Sequence, residues 1–258
     1  MLRLSANLTL LYPDLPLGKR FDMAKAAGYA GVEIQFPYDT PITELHDAMA
    51  RTGLPIVLIN IPAADLLQSG DGLACVPARQ HEWAGAVEQA LLWAQALNVP
   101  TVNLLAGRQP AGLSRETCLQ TLVDNARHAS SKLAEHGIRV VCEAINTHDM
   151  PGYLLPTSRD LAELLSRVNH PNLGMQLDLY HMARMGEDIA SVLTQQAAHI
   201  GHLQFADVPG RGAPGTGSLD FPALFRLIAQ LPYHGWCGAE YRRQADDPDW
   251  MSNCLPGT

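Results

Sequence analysis

Basic residues are scarce in this sequence. Its 258 residues include 18 Lys and Arg against 26 Asp and Glu, a formal net charge of −8, and no run of basic residues occurs. Because affinity for nucleic acid depends on clustered Lys and Arg, this composition excludes a protein that binds the phosphate backbone. Charged residues make up only 17% of the chain and hydrophobic residues 47%, which excludes intrinsic disorder and allows a large buried core.

Long apolar runs and paired cysteines are also missing. The longest apolar stretch, residues 54–67, contains Asn60, Pro62 and Asp65 and falls far short of the roughly 18 residues of a membrane-spanning helix. The first residues lack the apolar core of a signal peptide. The five cysteines are odd in number, widely spaced and without a CxxC pair, which indicates neither a disulfide framework nor a thiolate zinc site. We therefore expect a cytoplasmic protein with no membrane partner.

What the sequence does contain is a repeated alternation of two patterns. Short runs rich in Val, Ile and Leu predict eight strands, at residues 2–6, 31–36, 55–60, 101–106, 138–144, 173–179, 200–206 and 235–241. Amphipathic segments between them predict seven helices, at residues 18–27, 43–52, 81–97, 114–136, 158–168, 188–198 and 221–230. Strands that are apolar on both faces are typical of a parallel sheet. The pattern predicts a single-domain (β/α)₈ TIM barrel over residues 1–258, with a doubly wound open sheet as the alternative.

Polar side chains follow four of the predicted strands. Glu143, Asp178 and Glu240 place carboxylates at the ends of strands five, six and eight, and Gln204 places an amide oxygen on strand seven. The carboxyl ends of barrel strands meet at one face, where three carboxylates would repel one another unless a cation lay between them. Oxygen donors favour Mg²⁺ or Mn²⁺ over zinc. The alternative is that each acid caps a loop or pairs with an arginine.

Several segments, in order and with similar spacing along nearly the whole chain, resemble the hydroxypyruvate isomerase family, a branch of the xylose isomerase-like TIM-barrel superfamily. The 2-oxo-tetronate isomerases are a sister group with most of the same motifs. The matching segments are Ser5-Ala6-Asn7, Gly31-Val32-Glu33, Phe36-Pro37-Tyr38, Cys142-Glu143-Ala144-Ile145-Asn146, Asp178-Leu179-Tyr180-His181-Met182, His202-Leu203-Gln204-Phe205-Ala206-Asp207, Pro209-Gly210-Arg211, Pro214-Gly215-Thr216-Gly217 and Gly238-Ala239-Glu240-Tyr241.

The resemblance implies a (β/α)₈ fold, a divalent metal and interconversion of hydroxypyruvate with tartronate semialdehyde, within glyoxylate and carbohydrate metabolism. It implies that Glu143 and Glu240 are the catalytic pair and that Asp178 and Gln204 complete the metal site with them. More distant members of the superfamily usually have His where this chain has Gln204, so this residue indicates the hydroxypyruvate branch.

The resemblance also implies substrate contacts. His181 and Arg211 occupy positions that contact substrate oxygens in the superfamily, and a guanidinium can bind a carboxylate through two parallel hydrogen bonds. Asn7 falls near a strand end, where backbone hydrogen bonding is its first expected role and substrate binding is the role predicted for it at the site. The sequence departs from the family pattern after the last glutamate, where Arg242 and Arg243 replace the usual Lys-Pro.

Three functions stay open at this point. The first is a metal-assisted isomerase of a small hydroxy-oxo acid; the second is a sugar epimerase with the same pair of bases; the third is a binding protein that retains the barrel. Moving a carbonyl between adjacent carbons needs a carboxylate beside each carbon and a stabilised oxyanion, which is the arrangement predicted here. The tail at residues 246–258 is predicted either to be mobile or to pack at a subunit contact of a homo-oligomer.

Overall fold

Eight parallel strands close into a barrel in the computed structural model of the protein, which describes residues 2–255. Each strand pairs with its neighbours in chain order, and β1 pairs with β8 through Ser5 and Gly238. This closure confirms the predicted TIM barrel and excludes the doubly wound sheet. The strands are β1 (Arg3–Asn7), β2 (Gly31–Ile34), β3 (Ile56–Asn60), β4 (Thr101–Leu104), β5 (Arg139–Glu143), β6 (Leu173–Asp178), β7 (Ile200–Phe205) and β8 (Trp236–Ala239).

Helices follow the strands and cover the outside of the barrel. They are α1 (Leu17–Ala26), α2 (Ile42–Thr52), α3 (Gln80–Ala96), α4 (Arg115–Ala134), α5 (Ser158–Val168), α6 (Leu179–Arg184), α7 (Ile189–Gln195), α8 (Phe221–Gln230) and α9 (Trp250–Cys254). All seven predicted helices are present, and α6 and α9 are additional. Across residues 2–255, no helix combines the length and the apolar character needed to cross a bilayer.

Residues at the helix ends explain where the helices stop and start. Gly53 adopts a left-handed conformation at the end of α2 (φ +70°), which glycine reaches without a steric penalty. Ser114 accepts a hydrogen bond from the backbone N–H of Thr117 at the start of α4. Thr157 and Asp160 form a reciprocal capping box at the start of α5. These local signals fix the register at which each helix packs on the barrel.

The connection between β6 and β7 differs from the prediction. A single helix was predicted at residues 188–198, but α7 ends at Gln195 and a 3₁₀ turn, Ala197–His199, completes the segment. The additional helix α6 begins directly after Asp178, whose side chain accepts from the backbone N–H of Tyr180. This cap places the first turn of α6 beside the carboxyl end of the barrel.

The apolar core lies between the strands and the helices. Phe205 on β7 packs against Phe221 and Phe225 of α8 and against Trp250 of α9, with ring centroids between 5.1 and 5.9 Å from the Phe205 ring. Helix α9 belongs to the tail that was predicted either to be mobile or to lie at a subunit contact. Buried Trp250 packs this helix on the barrel, which speaks against mobility of residues 250–254, and the subunit contact stays a prediction. Residues 256–258 of that tail lie outside the described part of the chain.

Candidate active site

The four residues predicted to form a metal site lie at one end of the barrel. Glu143 and Asp178 are the last residues of β5 and β6, and Glu240 immediately follows β8. Gln204 is the second-to-last residue of β7 and lies opposite Asp178 in the pairing of β6 with β7. All four side chains are buried. The structure therefore brings these predicted side chains to the carboxyl face of the barrel.

Glu143, Asp178 and His181 form a compact buried cluster. One ligand-type atom from each lies within 4.8 Å of the other two. The Nε2 atom of His181 is 3.8 Å from Oε1 of Glu143 and 3.5 Å from Oδ2 of Asp178. The Nδ2 group of Asn146 lies 2.6 Å from Nδ1 of His181 and donates to it. Because Nδ1 accepts, a neutral His181 carries its proton on Nε2 and presents a donor to the site.

Glu240 is held by three donors from different strands and loops. Asn7 and Gln35 donate to its Oε1 atom at 2.7 and 2.6 Å. The Nη2 group of Arg211 donates to its Oε2 atom at 2.6 Å and lies 3.6 Å from Oδ2 of Asp178. Asn7, predicted to bind substrate, thus contacts a predicted catalytic carboxylate. Gln35 was not singled out in the sequence because an amide in a loop carries no pattern.

Burial raises the pKa of all three carboxyl groups. The pKa of Glu143 lies well above its usual value because burial disfavours its charge and because Glu240 and Asp178 repel it. Burial raises the pKa of Asp178 to about 7 even though the Arg211 guanidinium opposes the shift. Burial likewise raises the pKa of Glu240, again opposed by Arg211. Ionised together, the three carboxylates would carry more negative charge than Arg211 alone compensates.

This charge and an unpaired oxygen fit a divalent cation. Oδ2 of Asp178 is buried and accepts no hydrogen bond. Oδ1 of Asn103 is likewise buried without a donor, while the Nδ2 group of the same residue donates to Glu143 at 3.1 Å. A buried carboxylate oxygen without a donor is costly, and a bound cation would satisfy it. Carboxylate and amide oxygens are the ligands that Mg²⁺ and Mn²⁺ prefer.

Gln204 is tied to a second polar layer that lies deeper in the barrel. Its Nε2 group donates to Oε2 of Glu33 at 2.8 Å, and its Oε1 atom accepts from Nε2 of Gln176 at 2.6 Å. Glu33 also accepts from Ser5 at 2.5 Å and lies 2.8 Å from Nε2 of His202. The nitrogen and the oxygen of the Gln204 side-chain amide are therefore both hydrogen-bonded, and Glu33 sets the orientation of the side chain.

Sequence reasoning did not find this deeper layer. Each of these residues interrupts an apolar strand, and Glu33 and His202 also stand in segments that resemble the family, but neither signal shows that they contact Gln204 or each other. The carboxylate of Glu33 occupies the space beside Gly238, where a Cβ atom would come within 2.1 Å of Oε1. A glycine at position 238 is therefore a steric requirement of the buried carboxylate.

The loop that carries Arg211 is shaped by a buried aspartate. Asp207 follows β7, and its two carboxylate oxygens accept from the backbone N–H groups of Gly215, Gly217 and Leu219. Arg211 itself adopts a left-handed backbone conformation (φ +55°), and its guanidinium lies over the ring of Tyr180 at 5.1 Å. The loop thus fixes Arg211 above Glu240 and Asp178.

A cavity of about 470 Å³ opens above these groups. Its polar residues include Glu143, His181, Arg211 and Glu240, so the predicted catalytic pair shares this space with two of the three residues predicted to bind substrate. Its apolar residues are Leu10, Phe36, Leu67, Leu105, Ile145 and Met150. The volume lies within the usual range for a small-molecule site.

Comparison with known proteins agrees with this geometry. A family described as the xylose isomerase-like TIM barrel matches residues 21–254. Hydroxypyruvate isomerase of Escherichia coli is 42% identical over 244 residues, 95% of each chain. A 2-oxo-tetronate isomerase of Pectobacterium atrosepticum is 32% identical over 256 residues, 99% of this chain and 98% of that protein.

Solved structures show the same architecture. A protein described as an AP endonuclease, family 2, from Brucella melitensis is 35% identical, with a TM-score of 0.93 and coverage of 99% of this chain and 100% of that one. A 3-keto-D-glucoside 4-epimerase from E. coli is 22% identical, with a TM-score of 0.82 and coverage of 97% and 96%, and shares the fold. The chain is an isomerase that belongs to the xylose isomerase-like TIM-barrel family, in the branch of the hydroxypyruvate and 2-oxo-tetronate isomerases.

Proposed function

We propose that the protein is a metal-assisted isomerase that interconverts hydroxypyruvate and tartronate semialdehyde. The observation that carries the proposal is the convergence of buried Glu143 and Glu240 on one cavity, next to Asp178 and Arg211. The similarity to hydroxypyruvate isomerase supports the choice of substrate.

The reaction moves a carbonyl group between adjacent carbons by proton transfer. One glutamate of the pair removes a proton from the hydroxymethyl carbon of hydroxypyruvate, which gives an enediolate. The other glutamate supplies a proton to the former carbonyl carbon, and the remaining hydroxyl proton passes between the two oxygens, so that an aldehyde and a secondary alcohol result. A carboxylate beside each carbon is the requirement, and Glu143 and Glu240 supply it from β5 and from the end of β8.

Glu143, Asp178, Gln204 and Glu240 would hold the metal, with Mg²⁺ or Mn²⁺ as the ion that their oxygen atoms favour. When bound, the ion stabilises negative charge on the substrate oxygens and acidifies the adjacent C–H bond. Asp178 contributes an oxygen that accepts no hydrogen bond, and Glu33 accepts a hydrogen bond from the Gln204 amide.

Three further residues are proposed to position the substrate. The Nε2 group of His181 donates toward the space between Glu143 and Asp178, where a substrate oxygen would lie. Arg211 orients Glu240 and reaches substrate oxygens from the opposite side. Asn7 donates a hydrogen bond to Glu240 and is the last residue of β1, at the carboxyl face of the barrel. The sequence-based predictions of a homo-oligomer and of a cytoplasmic location stay predictions.

The four-carbon 2-oxo-tetronates are a second candidate substrate class. The cavity of about 470 Å³ exceeds the needs of a three-carbon acid, and a 2-oxo-tetronate isomerase matches 99% of the chain. A nuclease activity, suggested by the description of the Brucella melitensis structure, is opposed by the net charge of −8.

A turnover assay tests the proposal. The protein is given hydroxypyruvate and a 2-oxo-tetronate in parallel, in the presence of Mg²⁺ or Mn²⁺, and the products are followed by NMR. We expect hydroxypyruvate to be converted preferentially and Glu143→Gln and Glu240→Gln each to lower kcat by roughly 10² or more. Glu116→Gln is the matched control because Glu116 is exposed on α4 and forms its ion pair with Arg167 of α5, away from the cavity. Full activity of both site variants would contradict the mechanism, and preference for the four-carbon acid would move the protein to the sister group.

A further inference from the structure

Three arginines line the cavity above the predicted catalytic pair, and two of them are committed to other contacts. Arg108 donates to the backbone carbonyl oxygens of Leu66, Gly70 and Pro151, at 2.5 to 3.0 Å. It therefore binds the loops that form the wall of the cavity and has few donors left for a ligand.

Arg211 is the second committed arginine. Its Nη2 group donates to Oε2 of Glu240 at 2.6 Å, and its Nε group donates to the Glu240 carbonyl oxygen at 3.3 Å. Its side chain is only 16% exposed and also faces Asp178. Because this guanidinium compensates two site carboxylates, a substrate carboxylate that took it over would leave those two without their counter-charge.

Arg242 differs from both. It lines the same cavity and is exposed, and across residues 2–255 its guanidinium forms neither a hydrogen bond nor an ion pair. Its backbone N–H donates to the carbonyl oxygen of Arg211 at 2.8 Å, so the chain places it next to Arg211 and two residues beyond Glu240. An arginine with free donors at the mouth of a cavity has the shape and charge to bind a carboxylate through two parallel hydrogen bonds.

We propose that Arg242 binds the carboxylate of the substrate and so selects hydroxy-oxo acids over neutral sugars. The proposal rests on the proposed function, whose reacting carbons lie between Glu143 and Glu240, and it separates two tasks. Arg211 orients the reacting end of the site, and Arg242 holds the anionic end of the substrate at the mouth.

Arg243 is a matched control because it carries the same charge at the next position in the chain but lines a different cavity. Its guanidinium lies over the ring of Tyr12 at 5.4 Å, and it lines a separate cavity with Tyr29 and Asp247. Arg243→Gln removes the same charge at the next position in the chain, whereas Arg242→Gln removes the proposed contact. Both side chains are exposed, so both variants are expected to fold.

The test measures steady-state kinetics on hydroxypyruvate and, by calorimetry, the binding of tartronate, a nonreacting three-carbon dicarboxylate, both in the presence of Mg²⁺. Since the carboxylate does not change during the reaction, loss of its contact with Arg242 weakens the binding of the substrate and of the transition state equally. We expect Arg242→Gln to raise KM on the order of 10- to 100-fold with little change in kcat, and to weaken tartronate binding by a similar factor. Arg242→Lys should restore part of the affinity.

Equal KM and equal tartronate affinity for Arg242→Gln and Arg243→Gln would overturn the proposal, and so would a failure of the unmodified protein to bind tartronate. If the unmodified protein turns over neither oxo acid, the proposed isomerisation fails, and tartronate binding then decides the role of Arg242 by itself. Weaker binding in Arg242→Gln alone supports the assignment, whereas equal binding in the two variants refutes it.

Discussion

Replacing Glu33 by glutamine would remove a charge from the interior of the barrel while keeping the size of the side chain. Glu33 is fully buried and is bound by Ser5, His202 and Gln204 at 2.5 to 2.8 Å. Burial by itself would raise the pKa of Glu33, but the charge of His202 and the surrounding donors lower it below the usual value. The native barrel is therefore built around an ionised carboxylate.

The size of the effect follows from the groups left behind. A glutamine presents one acceptor and one donor group, so at least one of the Ser5, His202 and Gln204 donors loses its acceptor. Removing one partner of a buried pair costs about 3–5 kcal/mol, a large part of the roughly 5–15 kcal/mol that stabilises a typical domain. Ser5 and His202 both contact Oε1 of Glu33 and Gln204 donates to Oε2, so a glutamine that keeps its oxygen toward Ser5 and His202 turns its NH₂ group toward the Gln204 amide. The Gln204 amide then loses its acceptor, and a lost supporting contact of this kind typically weakens metal binding about 10- to 100-fold.

Urea unfolding of the metal-free protein and calorimetric titration with Mn²⁺ measure the two effects. Ser5→Ala is the control because it removes one donor to the same carboxylate and should cost only about 1 kcal/mol. If Glu33→Gln unfolded at the same urea concentration as Ser5→Ala and bound Mn²⁺ as tightly as the unmodified protein, the positioning role of Glu33 would be refuted.

Three other predictions concern the site, the core and a helix end. Burial raises the pKa of Asp178 to about 7, and a buried acid with a raised pKa opposes folding once it is ionised. In thermal melts with EDTA the metal-free protein should therefore lose stability as the pH rises from about 4 through 7, and Mn²⁺ should reverse the loss. The loss should be smaller in Asp178→Asn but still present, because the pKa values of Glu143 and Glu240 are raised as well. A melting temperature independent of pH would contradict this. Phe225→Ala should lower the free energy of unfolding by about 3–5 kcal/mol in urea because Phe225 is completely buried among rings. Thr157→Ala should cost about 1 kcal/mol in the same assay through loss of the α5 capping box, and an unchanged midpoint would show that the cap contributes nothing.

The sequence is sufficient to predict the barrel because each strand is nearly continuous in apolar residues and each helix is amphipathic. Such patterns depend on local chemistry, and the turn residues support them, as Gly53 does at the end of α2. Helix α6 was not predicted because it has only six residues and begins directly after Asp178, so that Leu179 was taken as the end of the preceding strand. The short α9 was missed because its burial depends on contacts of Trp250 with distant Phe205.

The positions of Glu143, Asp178 and Glu240 could be predicted because all three interrupt apolar runs at the same end of a strand. The partners of these residues could not be predicted. That Gln35 binds Glu240, and that Glu33 binds Gln204, depends on which side chains face the barrel axis at the same depth, and this is set by the stagger of the closed sheet. The position of Arg211 over Glu240 depends on a loop whose shape comes from Asp207.

Hydroxypyruvate labelled with ¹³C at its carbonyl carbon tests the central claim most directly. The protein is incubated with this substrate and Mg²⁺ or Mn²⁺, and the label is followed by NMR. The proposed proton transfer between Glu143 and Glu240 predicts that the label moves from a ketone signal to that of a hydroxyl-bearing carbon, next to a new aldehyde. A label that stays in the ketone form after prolonged incubation with folded, metal-loaded protein would contradict the account.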